Sequence, residues 1–475
     1  MSYIAGTDRQ QVLLFPETVE DYIAPDNPVR FLDAFVANLD LQALGFVHAT
    51  PAPTGRPPYH PGDLLKLYLY GYLHRVRSSR RLEAECHRNV ELLWLLRRLA
   101  PDFKTIADFR KDNAKGLQAV CRQFTLLCRK LELFGGELFG IDGSKFKAVN
   151  SRDNNFNEKK LRELIAHADA RLAEYLQALD QADAAEPDQA SVNGAELEGK
   201  IAILREKKDW HEELLAQLHT DTSTQISLTD PDTRRMHTRD GAVVGYNAQL
   251  AVDDKHKLIA AADVTNDPTD LAQLSSMAKA AKEAVGLDQI EVLADTGYCS
   301  TAEVSHCVAQ GITPYVPKAD TSANTKLGLF GKSRFRYDRN QDVYVCPAGK
   351  ELTYRFSTFE LGRGLRYYRA AGCAICSLKA QCTRNKGNRT ITREQDEHLM
   401  DDMAERVRAH PEKMRLRKQL CEHPFGTIKR WFGHDHFLLR GLVKVRIEWS
   451  LITLAYNWRR VLNLVSLPKL LEAVA

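Results

Sequence analysis

The stretch LFGIDGSKFKAV, residues 138–149, combines strand-forming residues with one aspartate, Asp142, near its middle. This pattern predicts a β-strand. Further strands are predicted at residues 246–252 and 258–264, as a hairpin, and at 290–294 and 313–316. Helices are predicted between the later strands, at 270–285 and 300–310. Three antiparallel strands followed by helix-linked parallel strands indicate a mixed α/β protein with an RNase H-like sheet.

This strand order is expected to bring two aspartates together. Asp142 lies on the first strand, and Asp295 ends the fourth strand 153 positions later. Because these strands are neighbours in the predicted sheet, we expect the two carboxylates to lie close to each other. Facing carboxylates repel unless a cation lies between them, and ligands that are all oxygen suit Mg²⁺ or Mn²⁺. Two such ions can activate the attacking oxygen and stabilise the leaving oxygen of a phosphodiester.

A third carboxylate usually completes such a site, and Glu422, in the segment QLCEHPFGTIKRW, is the candidate. On a continuous helix, Lys429 shares a face with Glu422 and would contact a DNA phosphate near the scissile bond. Pro424 is expected to kink or restart that helix. Asp230 and Asp232 form a rival acidic pair, but their setting favours a loop before a strand.

Three motifs resemble the catalytic boxes of DDE insertion-sequence transposases. They are IDGS at 141–144, LADTGY at 293–298, and Glu422-x6-Lys429. The last resembles the Tyr-x2-Arg-x3-Glu-x6-Lys signature of one large branch, and the subgroup with a cysteine-bearing segment before the glutamate fits best. The stretch from Arg56 to Arg110 also resembles the N-terminal domain of these enzymes, so the resemblance covers essentially the whole chain.

The chain departs from that signature at two positions. Arg415 stands where the family has tyrosine, and Lys418 stands where it has arginine. Lysine keeps the positive charge but lacks the bidentate fork of arginine. The family's tyrosine therefore has no counterpart at this position of the chain.

The resemblance implies a DNA transposase that cleaves phosphodiesters at the ends of an insertion sequence and joins a 3′-hydroxyl to target DNA, with or without a hairpin intermediate. Asp142, Asp295 and Glu422 would hold two Mg²⁺ or Mn²⁺ ions, with Lys429 beside them. The partners would be double-stranded DNA with terminal inverted repeats, target DNA, and a second copy of the chain, because two ends must be brought together. Three alternatives remain: a metal-dependent nuclease without strand transfer, a non-enzymatic zinc-containing DNA-binding protein, and an inactive transposase copy.

Charge is unevenly distributed along the 475 residues, although the formal net charge is only +4. Residues 1–50 carry a net charge of −5, 51–130 of +9, 156–221 of −7 and 363–460 of +11. Two basic blocks separated by an acidic insert favour a polyanionic partner. The residues predicted to contact DNA are Arg56, Arg75, Arg77, Arg80, Arg81, Arg415, Lys418 and Arg430. Tyr298 could stack on a flipped base, but a packed core tyrosine is the alternative.

A cluster of cysteines predicts a second kind of metal site. Cys346, Cys373, Cys376 and Cys382 have the spacing C-x26-C-x2-C-x5-C, and the C-x2-C step is typical of structural Zn²⁺ knuckles. Free thiols are the alternative. The remaining cysteines, at positions 86, 121, 128, 299, 307 and 421, are expected to pack in the core.

The predicted organisation combines a catalytic core with two inserts. Residues 1–130 form a helical DNA-binding domain, and residues 131–155, 222–317 and 399–460 form the RNase H-like core. Residues 156–221 form an acidic helical hairpin, 318–398 a β-rich insert with the cysteines, and 461–475 a tail. No apolar run is long enough to span a bilayer and no signal peptide is evident, so we expect no membrane association and a cytoplasmic, prokaryotic protein that joins the nucleoid when bound to DNA.

Overall fold

The computed structural model describes residues 18–51, 54, 57–151, 153–183, 187–220, 224–238, 241–318, 322–360 and 362–475, with the backbone alone for residues 179, 181–183 and 187–195. The chain begins with short helices, as predicted. After a 3₁₀ turn at Val19–Tyr22 come α1 (Val29–Ala37), α2 (Pro61–Leu73), α3 (Ser79–Cys86), α4 (Val90–Leu95), α5 (Phe103–Asp112) and α6 (Ala114–Lys130). Local signals start several of these helices: Pro61 occupies the first turn of α2, and the side chain of Asp102 caps α5.

The central part of the chain contains the predicted sheet and hairpin. Its elements are β1 (Leu138–Lys147), β2 (Asn155–Asn157), α7 (Glu158–Asp183), α8 (Pro187–Thr220), β3 (Gln225–Ser227), β4 (Arg234–Thr238), β5 (Gly241–Asp253), β6 (Ile259–Thr265), α9 (Leu274–Val285), β7 (Ile290–Leu293), α10 (Thr301–Ala309) and β8 (Ile312–Tyr315). The strand order is β4-β5-β1-β7-β8, and β6 also pairs with β5. Strand β1 is antiparallel to β5 and parallel to β7. The prediction of a mixed α/β fold with an RNase H-like strand order is therefore confirmed.

A second sheet follows, with strand order β13-β12-β11-β10-β9. Its elements are α11 (Ala323–Lys326), β9 (Arg336–Asp338), β10 (Val343–Val345), β11 (Glu351–Glu360), β12 (Arg363–Ala370), α12 (Lys379–Cys382) and β13 (Thr390–Glu394). The chain ends with α13 (Glu397–Ala409), α14 (Pro411–Gly426), a π-helical turn at Thr427–Trp431, α15 (Leu442–Leu464) and α16 (Leu467–Val474). Among the described residues, no helix has both the length and the apolarity needed to cross a membrane.

One hydrophobic core joins the N-terminal helices to the sheet. Helix α15 lies between them, and its Trp458 ring lies 4.7 Å from Phe31, 5.2 Å from Phe35 and 4.8 Å from Phe124, between ring centroids. The same cluster of buried residues includes Phe146 on β1 and Tyr246 on β5. A second cluster packs α9 and α10 against the opposite face of the sheet. A domain boundary at residue 130 therefore stays a prediction, and the core is continuous across that position.

Replacing Trp458 with alanine should destabilise the N-terminal helices and the sheet together. The indole is 1% exposed and contacts rings from two helices, so its loss should cost about 3–5 kcal/mol of unfolding free energy. Thermal and urea unfolding measure the change, and Lys444→Ala, at an exposed position of the same helix, is the matched control. Equal stability of the two variants would contradict the shared core.

Candidate active site

The register between β1 and β7 places two aspartates side by side. Gly140 on β1 is paired with Leu293 on β7, so Asp142 and Asp295 each lie two residues beyond the same paired position. Neighbouring strands are about 4.8 Å apart, and residues in register point to the same face. Both carboxylates therefore lie on the same face of the sheet, which is the face that α14 covers. The predicted proximity of these strands is observed.

The environment of Asp142 is electrostatically unusual. Burial raises the pKa of its carboxyl to about 6, the nearby guanidinium of Arg417 opposes that rise, and Asp295 adds to it. The backbone N–H of Gly143 donates to Asp142 Oδ1 at 2.8 Å, and the N–H of Gly297 donates to Asp295 Oδ1 at 2.8 Å. Two adjacent, partly desolvated carboxylates of this kind are suited to a bound cation.

Helix α14 approaches β1 closely because Gly140 has no side chain. A Cβ atom there would lie 2.8 Å from Cys421 Sγ and 3.1 Å from Leu420 Cβ. This packing brings Arg417 Nη1 to 3.5 Å from Asp142 Oδ2. That Nη1 atom is buried and makes no hydrogen bond. The cation beside Asp142 is thus Arg417, which the sequence did not single out, whereas Arg415 and Lys418 are exposed.

Glu422 and Lys429 do not share one regular helical face. Helix α14 continues through Pro424 to Gly426, and a π-helical turn then changes the phase of the chain. Glu422 is exposed, while Lys429 Nζ donates to Ser144 Oγ at 2.6 Å and to the Lys145 carbonyl at 3.1 Å. Lys429 therefore contacts the segment that follows Asp142, whereas the approach of Glu422 to the two aspartates stays a prediction. The buried Cys421 thiol interacts electrostatically with Asp142, Asp295 and Glu422.

Throughout the described ranges, no three His, Cys, Asp or Glu side chains are already arranged to hold a metal ion. The carboxylates of Asp142 and Asp295 nevertheless fit Mg²⁺ or Mn²⁺, because these ions prefer oxygen ligands to the nitrogen of histidine or the sulfur of cysteine. Glu422 as the third ligand stays a prediction.

The rival acidic pair has another role. Asp230 accepts hydrogen bonds from the Tyr246 hydroxyl at 2.8 Å and from the Gly441 N–H at 3.1 Å. Asp232 accepts one from the Leu442 N–H at 2.8 Å. These carboxylates satisfy backbone donors at the start of α15, where negative charge is stabilising. The interpretation of this segment as a structural loop is supported by these contacts.

Tyr298 is fully buried, and its hydroxyl donates to Gln249 Oε1. Burial raises its pKa well above the usual value, and the nearby carboxylates of Asp270, Asp142 and Asp295 add to that effect. A ring in this position is closed to a flipped base. The core alternative for Tyr298 is therefore the one that the geometry favours.

The arginine corner between α2 and α3 divides into exposed and buried members. Arg75, Arg80 and Arg81 are exposed, and so is Arg430 near the C-terminal basic segment. Arg56 lies outside the described residues. Arg77 is only 9% exposed, and its Nη1 donates to Glu448 Oε1 at 3.1 Å and to the His436 carbonyl at 2.9 Å. Arg77 is therefore held in an internal ion pair, and its predicted contact with DNA stays a prediction.

The four clustered cysteines line a single small cavity of about 20 Å³ between β10, β12 and α12. The Lys350 N–H donates to Cys346 Sγ at 3.3 Å, and the Arg389 N–H donates to Cys373 Sγ at 3.5 Å. Backbone donors to sulfur are the outer-shell contacts that orient thiolate ligands. The pKa of the Cys382 thiol is raised, mainly by burial.

Sequence reasoning missed a polar group on the other face of β1. Asp270 Oδ1 accepts hydrogen bonds from Asn247 Nδ2 at 2.6 Å, Gln249 Nε2 at 2.8 Å and Lys145 Nζ at 3.2 Å. Alternation along β1 could have indicated that Gly143 and Lys145 face away from Asp142. Nothing local marked Asp270 as their partner, because it follows β6 in a loop.

Comparisons with known proteins identify two parts of the chain. Residues 17–112 match the family described as Transposase domain (DUF772), and residues 345–462 match the family described as Transposase DDE domain. No curated protein matches the sequence significantly. A cryo-EM structure of a piggyBac transposase synaptic complex with hairpin DNA aligns with a TM-score of 0.32 and 9% identity, over 94% of this chain and 79% of that chain. A TM-score this low does not establish a shared architecture, so the similarity of this chain to transposases depends on the two family matches.

Substitutions at the arginine corner should separate folding from DNA binding. Arg77→Met leaves Glu448 buried without its partner and should cost about 3–5 kcal/mol of unfolding free energy. Arg81→Ala should leave stability within about 0.5 kcal/mol and lower the salt dependence of binding to a random-sequence duplex by about one ion. Thermal unfolding and fluorescence anisotropy at several salt concentrations measure the two effects. The same loss of stability in both variants would contradict this division.

Proposed function

Because the chain is a DDE transposase with a transposase domain and a Transposase DDE domain, we propose that Asp142, Asp295 and Glu422 form its metal-binding catalytic site. The observation that supports this most strongly is the register of β1 and β7. Gly140 pairs with Leu293, and each aspartate follows its member of this pair by two residues. Glu422 belongs to the matched DDE segment and follows Cys421, which packs against β1 beneath the aspartates. The exposed Glu422 side chain is proposed as the third carboxylate of the site.

Divalent cations, Mg²⁺ or Mn²⁺, supply activation of the attacking oxygen and stabilisation of the leaving oxygen when bound. The protein's own groups prepare the site for this chemistry. Burial and the nearby Asp295 carboxylate make the ionised form of Asp142 costly without a cation, and Arg417 partly offsets that cost. With a cation held by the two aspartates, the Arg417 guanidinium would be available to contact a phosphate.

Lys429 also lies beside the proposed catalytic site. Its ammonium lies 4.4 Å from the centroid of the Phe146 ring and donates to Ser144, two residues after Asp142. Burial lowers the pKa of Lys429 from its usual value. A half-buried ammonium at this point can contact the DNA backbone near the reacting phosphate.

The DNA partner is proposed to be a duplex with terminal inverted repeats, followed by target DNA. The exposed Arg75, Arg80 and Arg81 would hold the element end, and Arg415, Lys418 and Arg430 would hold the backbone next to the site. A homodimer on DNA is proposed because two ends must be joined. The place of action would be the nucleoid of a prokaryotic cytoplasm.

Charge-neutral substitutions test the catalytic assignment. Asp142→Asn and Asp295→Asn should each abolish Mg²⁺-dependent cleavage of DNA taken from the regions flanking the coding sequence, and Glu422→Gln should reduce it at least about a hundredfold. Glu412→Gln, an exposed position on the same helix, is the matched control and should retain wild-type cleavage. Retained cleavage in Asp142→Asn would overturn the proposal. A fragment with a free 3′-hydroxyl should be joined to target DNA, and cleavage without joining would favour a nuclease.

The β-rich segment is proposed to carry one structural Zn²⁺ held by Cys346, Cys373, Cys376 and Cys382. The shared cavity and the two N–H···S contacts support this. The segment has only a small core around Tyr344 and Tyr368, so the ion would contribute to its folding.

Elemental analysis of the purified protein should find about one zinc per chain. Cys376→Ser should lower that content several-fold and make β11–β12 more accessible to protease, whereas Cys121→Ser should change neither. Zinc below about a tenth per chain in protein purified with supplementary zinc would reject the site.

A further inference from the structure

The polar group around Asp270 connects the two strands that carry Asp142 and Asp295. It lies on the face of the sheet opposite the carboxylates. Lys145 is three residues after Asp142, and its ammonium lies 3.2 Å from Asp270 Oδ1. Tyr298 is three residues after Asp295, and its hydroxyl donates to Gln249, which in turn donates to Asp270 at 2.8 Å. The chain of contacts therefore runs from β1 through Asp270 and Gln249 to the turn after β7.

Gly143 makes this arrangement possible. A Cβ atom at Gly143 would lie 2.7 Å from Asp270 Oδ1 and 2.3 Å from Gln249 Nε2. The absent side chain lets both groups press against the β1 backbone directly behind Asp142. Asp270 Oδ2 also lies 3.8 Å from the position of a Cβ at Gly297, in the turn after Asp295. Asp270 thus presses against the backbone next to Asp142 and lies near the turn that follows Asp295.

The group is internally neutralised, which distinguishes it from a second metal site. Asp270 has an ammonium partner, Lys145, and the two side chains are only 22% and 13% exposed. Three donors converge on a single oxygen of Asp270. The Lys145 ammonium also lies 3.4 Å from Asp270 Oδ2. A carboxylate held by an ammonium and two amides fixes the position of its neighbours.

We propose that Asp270 is a positioning residue: with Lys145, Gln249 and Tyr298 it fixes the separation of Asp142 and Asp295 and so sets the affinity of the site for divalent cations. This inference rests on the proposed catalytic site. Two ligand-bearing segments held by one hydrogen-bonded group lose less conformational freedom when a cation binds. Partners of this outer kind typically change metal affinity by 10–100-fold when removed.

Mn²⁺ binding to the full-length protein, followed by electron paramagnetic resonance of the free ion, tests this inference without DNA. Asp270→Asn should raise the Kd for Mn²⁺ by roughly tenfold, with the thermal midpoint within a few degrees of the wild type. Asp267→Asn, which removes the same charge three residues earlier in the loop, is the matched control and should leave the Kd within about twofold.

Tyr298→Phe separates positioning from long-range charge, because it removes one hydroxyl and no charge. Positioning predicts a raised Kd in Tyr298→Phe, and less than additive effects in the Asp270→Asn/Tyr298→Phe double variant. A wild-type Kd in either single variant overturns the inference, and Tyr298→Phe remains informative if Asp270→Asn does not fold. Asp142→Asn identifies which proposal fails. If it binds Mn²⁺ like the wild type, the catalytic site is wrong; if it loses Mn²⁺ while Asp270→Asn does not, only the positioning role is wrong.

Discussion

The pairing of β1 with both β5 and β7 is the constraint on which the candidate site depends. Alternation along β1 sends Asp142 toward α14 and Gly143 toward Asp270, so a shift of one residue would exchange the two faces. Two glycines, which lack a side chain, let neighbouring groups pack closely against both faces of β1. Gly140 admits α14 on one face, and Gly143 admits the polar group on the other. The Asp142 carboxylate thus lies between a helix and a hydrogen-bonded group.

The sequence predicts the parts of this site that depend on local pattern and strand order. Asp142 and Asp295 could be placed together because each belongs to a recognisable strand and the topology makes the strands neighbours. Arg417 could not be placed, because the sequence does not show which face of α14 packs against β1. Lys429 could not be placed relative to Glu422, because spacing defines a helical face only in a regular helix. Pro424 lies within α14 and a π-helical turn follows it, so counting from Glu422 gives the wrong phase. Asp270 was missed because its partners are brought together only by the folded sheet.

Net charge by segment predicts a polyanionic partner but overstates the charge that is available at the surface. Arg77 contributes to the positive N-terminal block, yet it neutralises Glu448 in the interior. In the C-terminal block, Arg393 is only 5% exposed and donates to Asp401 at 2.8 Å. Periodicity predicts that a helix has a buried face, but not which partner covers it. The continuous core between the N-terminal helices and α15 was therefore beyond the reach of sequence patterns.

Helix α15 connects the arginine corner with the sheet through the buried carboxylate of Glu448 as well as through the indole rings of Trp449 and Trp458. Glu448 accepts hydrogen bonds from Arg77 and, at 3.0 Å, from the N–H groups of Leu438 and Leu439. Moving the arginine corner away would leave this buried carboxylate without its charged partner. The same helix contacts β5 through Trp449, whose indole N–H donates to the Gln249 carbonyl at 3.3 Å. Gln249 also belongs to the group behind Asp142. Packed side chains and hydrogen bonds therefore connect the arginine corner with the group behind Asp142, so the fold itself sets the distance between that corner and the two aspartates.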